Sequence, residues 1–168
     1  MAYSQTPNRN YSRPQPEGYE QVLQIRRVSK KTQGGSTVSF SALVVTGDKK
    51  GKVGLGLAKA PNVADAIKKS IRLGNRDLVM VPIKDGTIPY ETRSKFGAAD
   101  VLLRPAPKGT GIIAGSAVRA VVEAAGITDI VCKSLGGNNK TTNARATFKA
   151  LKQIELLDKK YKLLKAIK

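Results

Sequence analysis

Hydrophobic residues alternate with polar ones over the first third of the chain, which is the pattern of β-strands. Apolar residues are concentrated at 23–28, 38–45 and 52–57, and glycine-containing turns separate these stretches. The sequence therefore predicts three consecutive antiparallel strands. The turn at Gly34-Gly35 joins the first two strands, and we predict a positive φ at one or both of these glycines.

A helix is predicted directly after the third strand. Asn62 is a suitable N-cap residue, and Gly74 is a suitable residue to end the helix. Val63, Ile67 and Ile71 recur at intervals of four residues and form one apolar stripe. The stripe predicts that the helix covers one face of the three-stranded sheet.

Strand and helix patterns alternate in the rest of the chain. Strands are predicted at 78–83, 98–103 and 129–134, and helices at about 116–125 and 141–153. The joint between two halves is expected between Asp77 and Tyr90. The expected buried residues of the two helices are Val118, Val121, Val122 and Ala125 in the first, and Ala144, Phe148, Leu151 and Ile154 in the second.

These elements predict an α+β protein built from two small α/β domains. Residues 19–84 are expected to form a three-stranded antiparallel sheet with one helix, and residues 85–155 a sheet with two helices on one face. Residues 1–18 contain Pro7, Pro14 and Pro16 and are predicted to be a flexible tail. Residues 156–168 are a lysine-rich basic tail, either a helix that docks on a partner or a solvated end.

The charge of the chain indicates a polyanionic partner. Lys and Arg number 30 against 12 acidic residues, which gives a net charge of +18. Nucleic acid is the strongest candidate. A membrane is weaker, because no apolar run approaches the roughly 18–20 residues that span a bilayer and no signal-peptide pattern opens the chain.

Residue usage also excludes several kinds of chemistry. The chain has no histidine and one cysteine, Cys132, so His-based metal sites, His-based catalytic triads and disulfides within the chain are impossible. We therefore predict no metal and no cofactor, and a reducing, cytoplasmic location. The segment around Gly54 and Gly56 begins like a dinucleotide-binding loop, but it lacks the third glycine, and Pro61 interrupts the turn into the helix.

A second glycine loop, Gly109-Thr110-Gly111, precedes a predicted helix. Such a loop presents backbone N–H groups to an anion, which is either a nucleotide phosphate or an RNA phosphate. Lys108 precedes the glycines, so the loop lacks the spacing of a Walker motif. Within the helix, Arg119 and Glu123 are spaced as an i,i+4 ion pair.

Several short motifs follow one another along both halves of the chain in a specific order and spacing. They are Arg27-Val28-Ser29-Lys30, Gly34-Gly35, Ser39-Phe40, Gly47-Asp48 and Gly109-Thr110-Gly111-Ile112-Ile113-Ala114-Gly115. With these motifs, residues 18–155 resemble the family of the fifth protein of the bacterial small ribosomal subunit. The resemblance implies a first domain like a double-stranded RNA-binding domain and a second α/β domain of a type found in some small-molecule kinases. A shared fold does not imply a shared activity.

The resemblance also implies function and partners. Family members bind small-subunit ribosomal RNA, contact the fourth and eighth small-subunit proteins, line the region where messenger RNA enters, and affect decoding accuracy. The loop that matches residues 28–35 lies near the site where spectinomycin acts. The chain departs from the family at Leu55 and Leu57, where aromatic residues are common, and at Lys140, where proline is common.

We therefore predict a ribosomal RNA-binding protein of the small subunit that has no catalytic residues, no small-molecule substrate and no membrane partner. The alternative is a phosphotransferase that uses the loop at 109–116. The residues predicted to contact a neighbouring protein and influence accuracy are Gly109, Gly111 and Arg119. The predicted RNA-binding residues are Arg26, Arg27, Ser29, Lys30, Lys31, Gly34, Gly35, Lys49, Lys50, Lys52, Lys59, Lys108, Asn138, Asn139, Lys140 and Arg145.

Overall fold

The structure, a computed structural model, describes residues 18–166. The predicted tail at 1–17 and the last two residues lie outside the described residues. Within the described range the chain forms two four-stranded sheets and three helices, so the predicted α+β class is confirmed. The elements are β1 (Tyr19–Thr32), β2 (Gly35–Gly47), β3 (Lys52–Ala60), α1 (Val63–Arg76), β4 (Val79–Met80), β5 (Thr92–Phe96), β6 (Ala99–Pro105), β7 (Ile112–Ile113), α2 (Ser116–Ala125), β8 (Ile130–Ser134) and α3 (Lys140–Ala166).

The first sheet has the strand order β1-β2-β3-β4 and is antiparallel throughout. The three predicted strands are present, and β4 adds a short fourth strand that pairs with β3 through Met80 and Lys52. The predicted strand at 78–83 is too long. Its regular pairing ends at Met80, and Pro82, which has no backbone N–H, cannot continue a ladder of hydrogen bonds.

Helix α1 covers one face of this sheet with its smallest residues. Ala66, Ser70 and Gly74 are buried, whereas the predicted apolar stripe lies at the half-buried margins. Gly74 does not end the helix as predicted, since it lacks the left-handed φ of a helix end and the helix continues to Arg76. It is buried against β3, where a Cβ at Gly54 would collide with the Gly74 carbonyl group. Asn62 occupies the N-cap position, but its side chain makes no capping hydrogen bond.

The second sheet has the order β5-β6-β8-β7, with β7 parallel to β8. Helix α2 ends as predicted at Gly126, which has a φ of 85°. Helix α3 extends far past the predicted end at 153, into the predicted basic tail. Tyr161 of this extension stacks on Tyr90 with ring centroids 5.1 Å apart, which ties the helix to the loop before β5.

One hydrophobic core connects the two sheets. Leu43 and Val45 of β2 belong to the same buried cluster as Leu103, Val121 and Ile154 of the second half. The β2–β3 turn also closes the end of α2: the backbone N–H groups at positions 49 and 51 donate to carbonyls at positions 124 and 125, at 3.1 and 2.9 Å. The two halves are therefore packed together, and the predicted domain boundaries stay a prediction.

Candidate nucleic-acid interface

The hairpin of β1 and β2 carries most of the predicted RNA-binding residues of the first half. Its residues from 29 to 37 are exposed, whereas the base of β2, from 42 to 47, is buried. Side chains alternate between the faces of a strand. Arg26 and Lys30 therefore lie on one face of the hairpin, and Arg27, Ser29 and Lys31 lie on the other.

Strand β3 adds one more cation to the first of these faces. Lys59 pairs with Ser41, and Ser41 pairs with Arg26, so the three residues share a face. An open groove of about 430 Å³ on the hairpin is lined by Lys30 and Lys59 together with hydroxyl-bearing residues. The fold therefore brings together two predicted cations that are 29 residues apart in the sequence.

None of the hairpin cations is neutralised by an acidic side chain among the described residues. The ion pairs found among residues 18–166 all lie in the second half of the chain. They are Arg93–Asp100, Arg104–Glu91, Lys159–Glu155 and Lys162–Asp158. Positive charge on the hairpin is thus left for an external anion.

The tip of the hairpin has the predicted backbone conformation. Gly35 has a φ of 137°, which confirms the prediction of a positive φ in this turn. The Thr32 hydroxyl donates to the Gly35 carbonyl at 3.1 Å. A Cβ at Gly34 or Gly35 would meet no other atom within 4 Å, so a side chain at either position would project into open space.

The second lysine-bearing turn, between β2 and β3, is docked on the second half of the chain. The Asp48 carboxylate accepts the backbone N–H groups of Lys50 and Lys52 at 2.7 and 2.9 Å. Partial burial opposes ionisation of Asp48, but these hydrogen bonds outweigh it and lower the pKa of the carboxyl group. The Lys49 ammonium lies 4.4 Å from the centroid of the Tyr19 ring. The two lysine-bearing turns therefore differ, because the tip at Gly34-Gly35 projects freely and the β2–β3 turn is bonded to the end of α2.

The glycine loop before α2 already binds an anion from the same chain. The backbone N–H groups of Gly109 and Gly111 both donate to one carboxylate oxygen of Asp129, at 2.9 and 2.8 Å. Left-handed φ values of 94° and 72° at these two glycines orient the N–H groups toward that oxygen. The hydrogen bond from Gly111, followed by one from the Thr128 hydroxyl, lowers the pKa of Asp129. These two N–H groups are therefore not free to bind a nucleotide phosphate, as the phosphotransferase alternative requires.

Sequence reasoning missed Asp129 because it is 18 residues from Gly111 in the chain. The parallel pairing of Ile112 with Ile130 places the loop beside the start of β8, and only this pairing brings the carboxylate to the glycines. An acidic residue at the first position of a predicted strand was the available signal, but it has no specificity without the strand order.

The predicted pair of Arg119 and Glu123 is wrong. No ion pair joins them in the described structure, and the Arg119 guanidinium instead donates to the Ile112 carbonyl at 2.8 Å. Arg119 and Lys49 line one open cavity of about 710 Å³ between the β2–β3 turn and α2. Arg119 is therefore bonded to the short strand that follows the glycine loop and not to Glu123 of its own helix.

The last group of predicted residues surrounds the start of α3. Asn139 accepts the Thr141 N–H through its side-chain oxygen at 3.0 Å and so caps the helix. Asn138 and Lys140 line a cavity of about 220 Å³ together with Ser116 at the start of α2. The Arg145 guanidinium lies 5.5 Å from the centroid of the Phe96 ring, and Arg145 is not among the residues that line this cavity.

Three other residues noted in the sequence analysis, Leu55, Leu57 and Cys132, are partly or fully buried in the protein. Leu55 and Leu57 are partly buried against the main core, where they pack instead of stacking on a base. Burial raises the pKa of Cys132 to about 12, which makes the thiol unreactive.

Among residues 18–166, no cluster of three or more acidic or cysteine side chains is arranged to hold a metal ion. No helix in that range has the length and apolar character needed to cross a bilayer.

Both halves of the chain match known domains of one protein family. Residues 19–82 match the N-terminal domain of ribosomal protein S5, and residues 94–163 match its C-terminal domain. Small ribosomal subunit protein uS5 of Treponema pallidum (strain Nichols) is 51% identical over 135 residues, which cover 80% of this chain and 78% of that protein. The chain belongs to the ribosomal protein S5 family.

Relatives from other bacteria support the same assignment. The uS5 protein of Treponema denticola is 46% identical over 150 residues, covering 89% of this chain and 87% of that protein. The uS5 protein of Chloroflexus aurantiacus is 51% identical over 138 residues, covering 82% and 78%. The S5 family consists of structural components of the small ribosomal subunit and not of enzymes. The resemblance, the non-enzymatic class and the location in the ribosome of the cytoplasm are thus confirmed.

Proposed function

We propose that this chain binds small-subunit ribosomal RNA directly, with the β1–β2 hairpin as its principal contact. The observation that carries the proposal is the set of exposed cations at Arg26, Arg27, Lys30 and Lys31, none of which has an acidic partner among the described residues. Cations on both faces of a narrow hairpin suit insertion between two RNA backbones. Phosphate neutralisation then positions the protein, and RNA shape matters more than base sequence.

A second RNA contact is proposed around the starts of α2 and α3. Asn138 and Lys140 lie close to the N-terminal end of α2, where backbone N–H groups and the helix dipole favour a phosphate. The full set of proposed RNA-binding residues is the one predicted from the sequence. Its members outside the hairpin cations are Ser29, Gly34, Gly35, Lys49, Lys50, Lys52, Lys59, Lys108, Asn138, Asn139, Lys140 and Arg145.

Protein contacts are proposed at two further surfaces. Gly109, Gly111 and Arg119 form one, and the exposed leucines of the α3 extension form the other. Leu163 and Leu164 are 65% and 64% exposed, and an open groove of about 590 Å³ runs between this helix and β5. Apolar side chains exposed in this way are typical of a protein interface. The proposed partners are the fourth and eighth small-subunit proteins, beside the region where messenger RNA enters, with effects on subunit assembly and accuracy.

The hairpin proposal is tested by the salt dependence of RNA binding. The variant carries Arg27→Ala, Lys30→Ala and Lys31→Ala, and its affinity for a small-subunit RNA fragment is measured over a range of salt concentrations. Because each lost phosphate contact reduces the slope of log K against log salt by about 0.7–0.9, we expect the slope to become shallower by roughly 2–3.

A charge-matched control separates local contact from loss of overall charge. Lys159→Ala, Lys160→Ala and Lys162→Ala remove the same three charges from α3, where two of these lysines pair with acids of their own helix. The control is expected to keep nearly the wild-type slope. Equal slopes in the two triple variants would refute a specific role for the hairpin.

A further inference from the structure

We infer that Asp129 is a positioning residue that fixes residues 108–115, here called the contact loop, and through them Arg119. The inference rests on the proposed protein contact of Gly109, Gly111 and Arg119. Its basis is the carboxylate of Asp129, which accepts the N–H groups of Gly109 and Gly111 at 2.9 and 2.8 Å. One oxygen atom thus holds two successive left-handed positions of the contact loop.

The carboxylate is itself held from the opposite side. Its second oxygen accepts the Thr128 hydroxyl at 2.8 Å. The backbone N–H groups of Thr128 and Asp129 donate to the Gly86 carbonyl at 2.9 and 3.1 Å. A Cβ at Gly86 would collide with the Thr128 hydroxyl, so the turn at Gly86 packs closely against Thr128. Asp129 is therefore fixed by contacts that do not involve the contact loop.

The contact loop transmits this position to Arg119. The Gly111 carbonyl accepts the Ile130 N–H at 3.1 Å, and Ile112 pairs with Ile130 in the sheet. The Ile112 carbonyl then accepts the Arg119 guanidinium at 2.8 Å. Two hydrogen bonds, joined by the peptide bond between Gly111 and Ile112, therefore connect Asp129 to Arg119.

The position of Asp129 shows that it serves this chain and not a partner. Its side chain is only 6% exposed, and it is an acidic residue in a chain with a net charge of +18. An RNA phosphate cannot reach the loop N–H groups while the carboxylate occupies them. The contact loop is consequently set in place before any partner binds, which reduces the conformational entropy lost on binding.

The test is hydrogen exchange of the Gly109 and Gly111 amides, measured by NMR on the full chain free in solution. In Asp129→Ala, loss of a charged acceptor is expected to speed exchange at both amides by at least about tenfold. Asp129→Asn keeps an oxygen acceptor without its charge and is expected to give an intermediate rate. It also keeps the inference testable if Asp129→Ala fails to fold. Wild-type exchange at both amides in a folded variant would overturn the inference.

The control is Asp100→Ala, which removes a carboxylate that pairs with Arg93 on the neighbouring strand. It is expected to leave exchange at Gly109 and Gly111 unchanged. If it speeds exchange as much as Asp129→Ala does, general destabilisation explains the effect and the inference fails.

Stop-codon readthrough in cells separates this inference from the proposed function. We expect Arg119→Ala and Asp129→Ala to change readthrough in the same direction, and the double variant to change it little further. A change with Arg119→Ala but not with Asp129→Ala would overturn the positioning role. If neither variant changes readthrough while exchange at the two glycines is faster, the proposed protein contact fails and the positioning of the contact loop by Asp129 stands.

Discussion

At the residue scale, two adjacent glycines at the hairpin tip differ in what they require of the backbone. Gly35 has a φ of 137°, a conformation that other residues rarely adopt, whereas Gly34 has no such requirement. Gly35→Ala is expected to lower the free energy of unfolding by about 1–3 kcal/mol or to deform the tip and weaken RNA binding. Gly34→Ala, with equally open surroundings and no positive φ, is the control for stability and is expected to keep the wild-type free energy of unfolding. Urea unfolding and RNA affinity measure the two outcomes, and a Gly35→Ala variant with the stability of Gly34→Ala and the RNA affinity of the wild type would contradict the prediction.

The pKa of Asp129 gives a pH dependence with a definite sign. Hydrogen bonds from Gly111 and then Thr128 lower the pKa of the folded state below the unfolded value of about 3.9. The contribution of the ionised Asp129 carboxylate to the free energy of unfolding is therefore present above the unfolded pKa of about 4. It is lost as the pH falls through the lower pKa of the folded state. Asp129→Asn is expected to unfold with a weaker dependence on pH below about 4 than the wild type does. Urea unfolding at neutral and acidic pH checks this, and identical pH profiles would count against it.

Residue-level features were predictable where the cause is local. The positive φ at Gly35 and the helix end at Gly126 follow from the residue type and its neighbours in sequence. The hydrogen bonds of Asp129 and Arg119 depend on the parallel pairing of β7 with β8, which local patterns do not specify. Spacing in a helix permits an Arg119–Glu123 pair, but a backbone carbonyl from another element is the acceptor in the structure.

At the element scale, helix α1 lies close to its sheet because both surfaces are made of small residues. A Cβ at Gly56 would collide with the backbone carbonyl of Ser70, which cannot move without shifting the helix. Gly56→Ala is expected to lower the free energy of unfolding by about 1–3 kcal/mol. This cost exceeds the roughly 0.5–1 kcal/mol that alanine gains over glycine in a regular element. Gly34→Ala is again the control, since its new methyl group meets open space, and a neutral Gly56→Ala would show that the helix yields easily.

Element lengths were predicted less well than element types. Helix α3 is longer than the predicted range of 141–153, since it includes most of the lysine-rich end, for which a docking helix and a solvated end were both open. Two i,i+4 ion pairs, Lys159–Glu155 and Lys162–Asp158, and the stacking of Tyr161 on Tyr90 accompany the extension. The apolar stripe of α1 was predicted from the four-residue spacing of large apolar residues, whereas the buried positions are Ala66, Ser70 and Gly74. Close approach of two backbones is not visible in a hydrophobic pattern.

At the scale of the whole molecule, the charge and the core have opposite distributions. Cations extend over the hairpin and both lysine-bearing turns, whereas most buried apolar residues form one cluster that joins the two sheets, beside a smaller cluster of Ala42, Val44 and Ala66. The net charge indicates a polyanionic partner, which agrees with membership of a ribosomal protein family. The sequence did not predict that the β2–β3 turn caps the end of α2, since this contact joins residues about 75 positions apart through their backbones.

The continuous core predicts that the two halves unfold together. Val45 in the first half and Ile154 in the second belong to one cluster, and the turn after β2 supplies hydrogen bonds to the end of α2. Separating the halves would expose apolar surface on both and leave those carbonyls without partners. We therefore expect methyl resonances of Val45 and Ile154 to report the same urea midpoint in the full chain.

Two fragments, 19–84 and 85–166, provide the control for this prediction. Each lacks the part of the core that the other contributes, so each is expected to be less stable alone than in the full chain, and mixing them should restore native resonances. Two separate midpoints in the full chain, or fragments as stable as the whole, would mean that the halves are independent domains. In that case a disturbance at the hairpin could not reach Arg119 through the protein, and RNA binding and the contact loop would act separately.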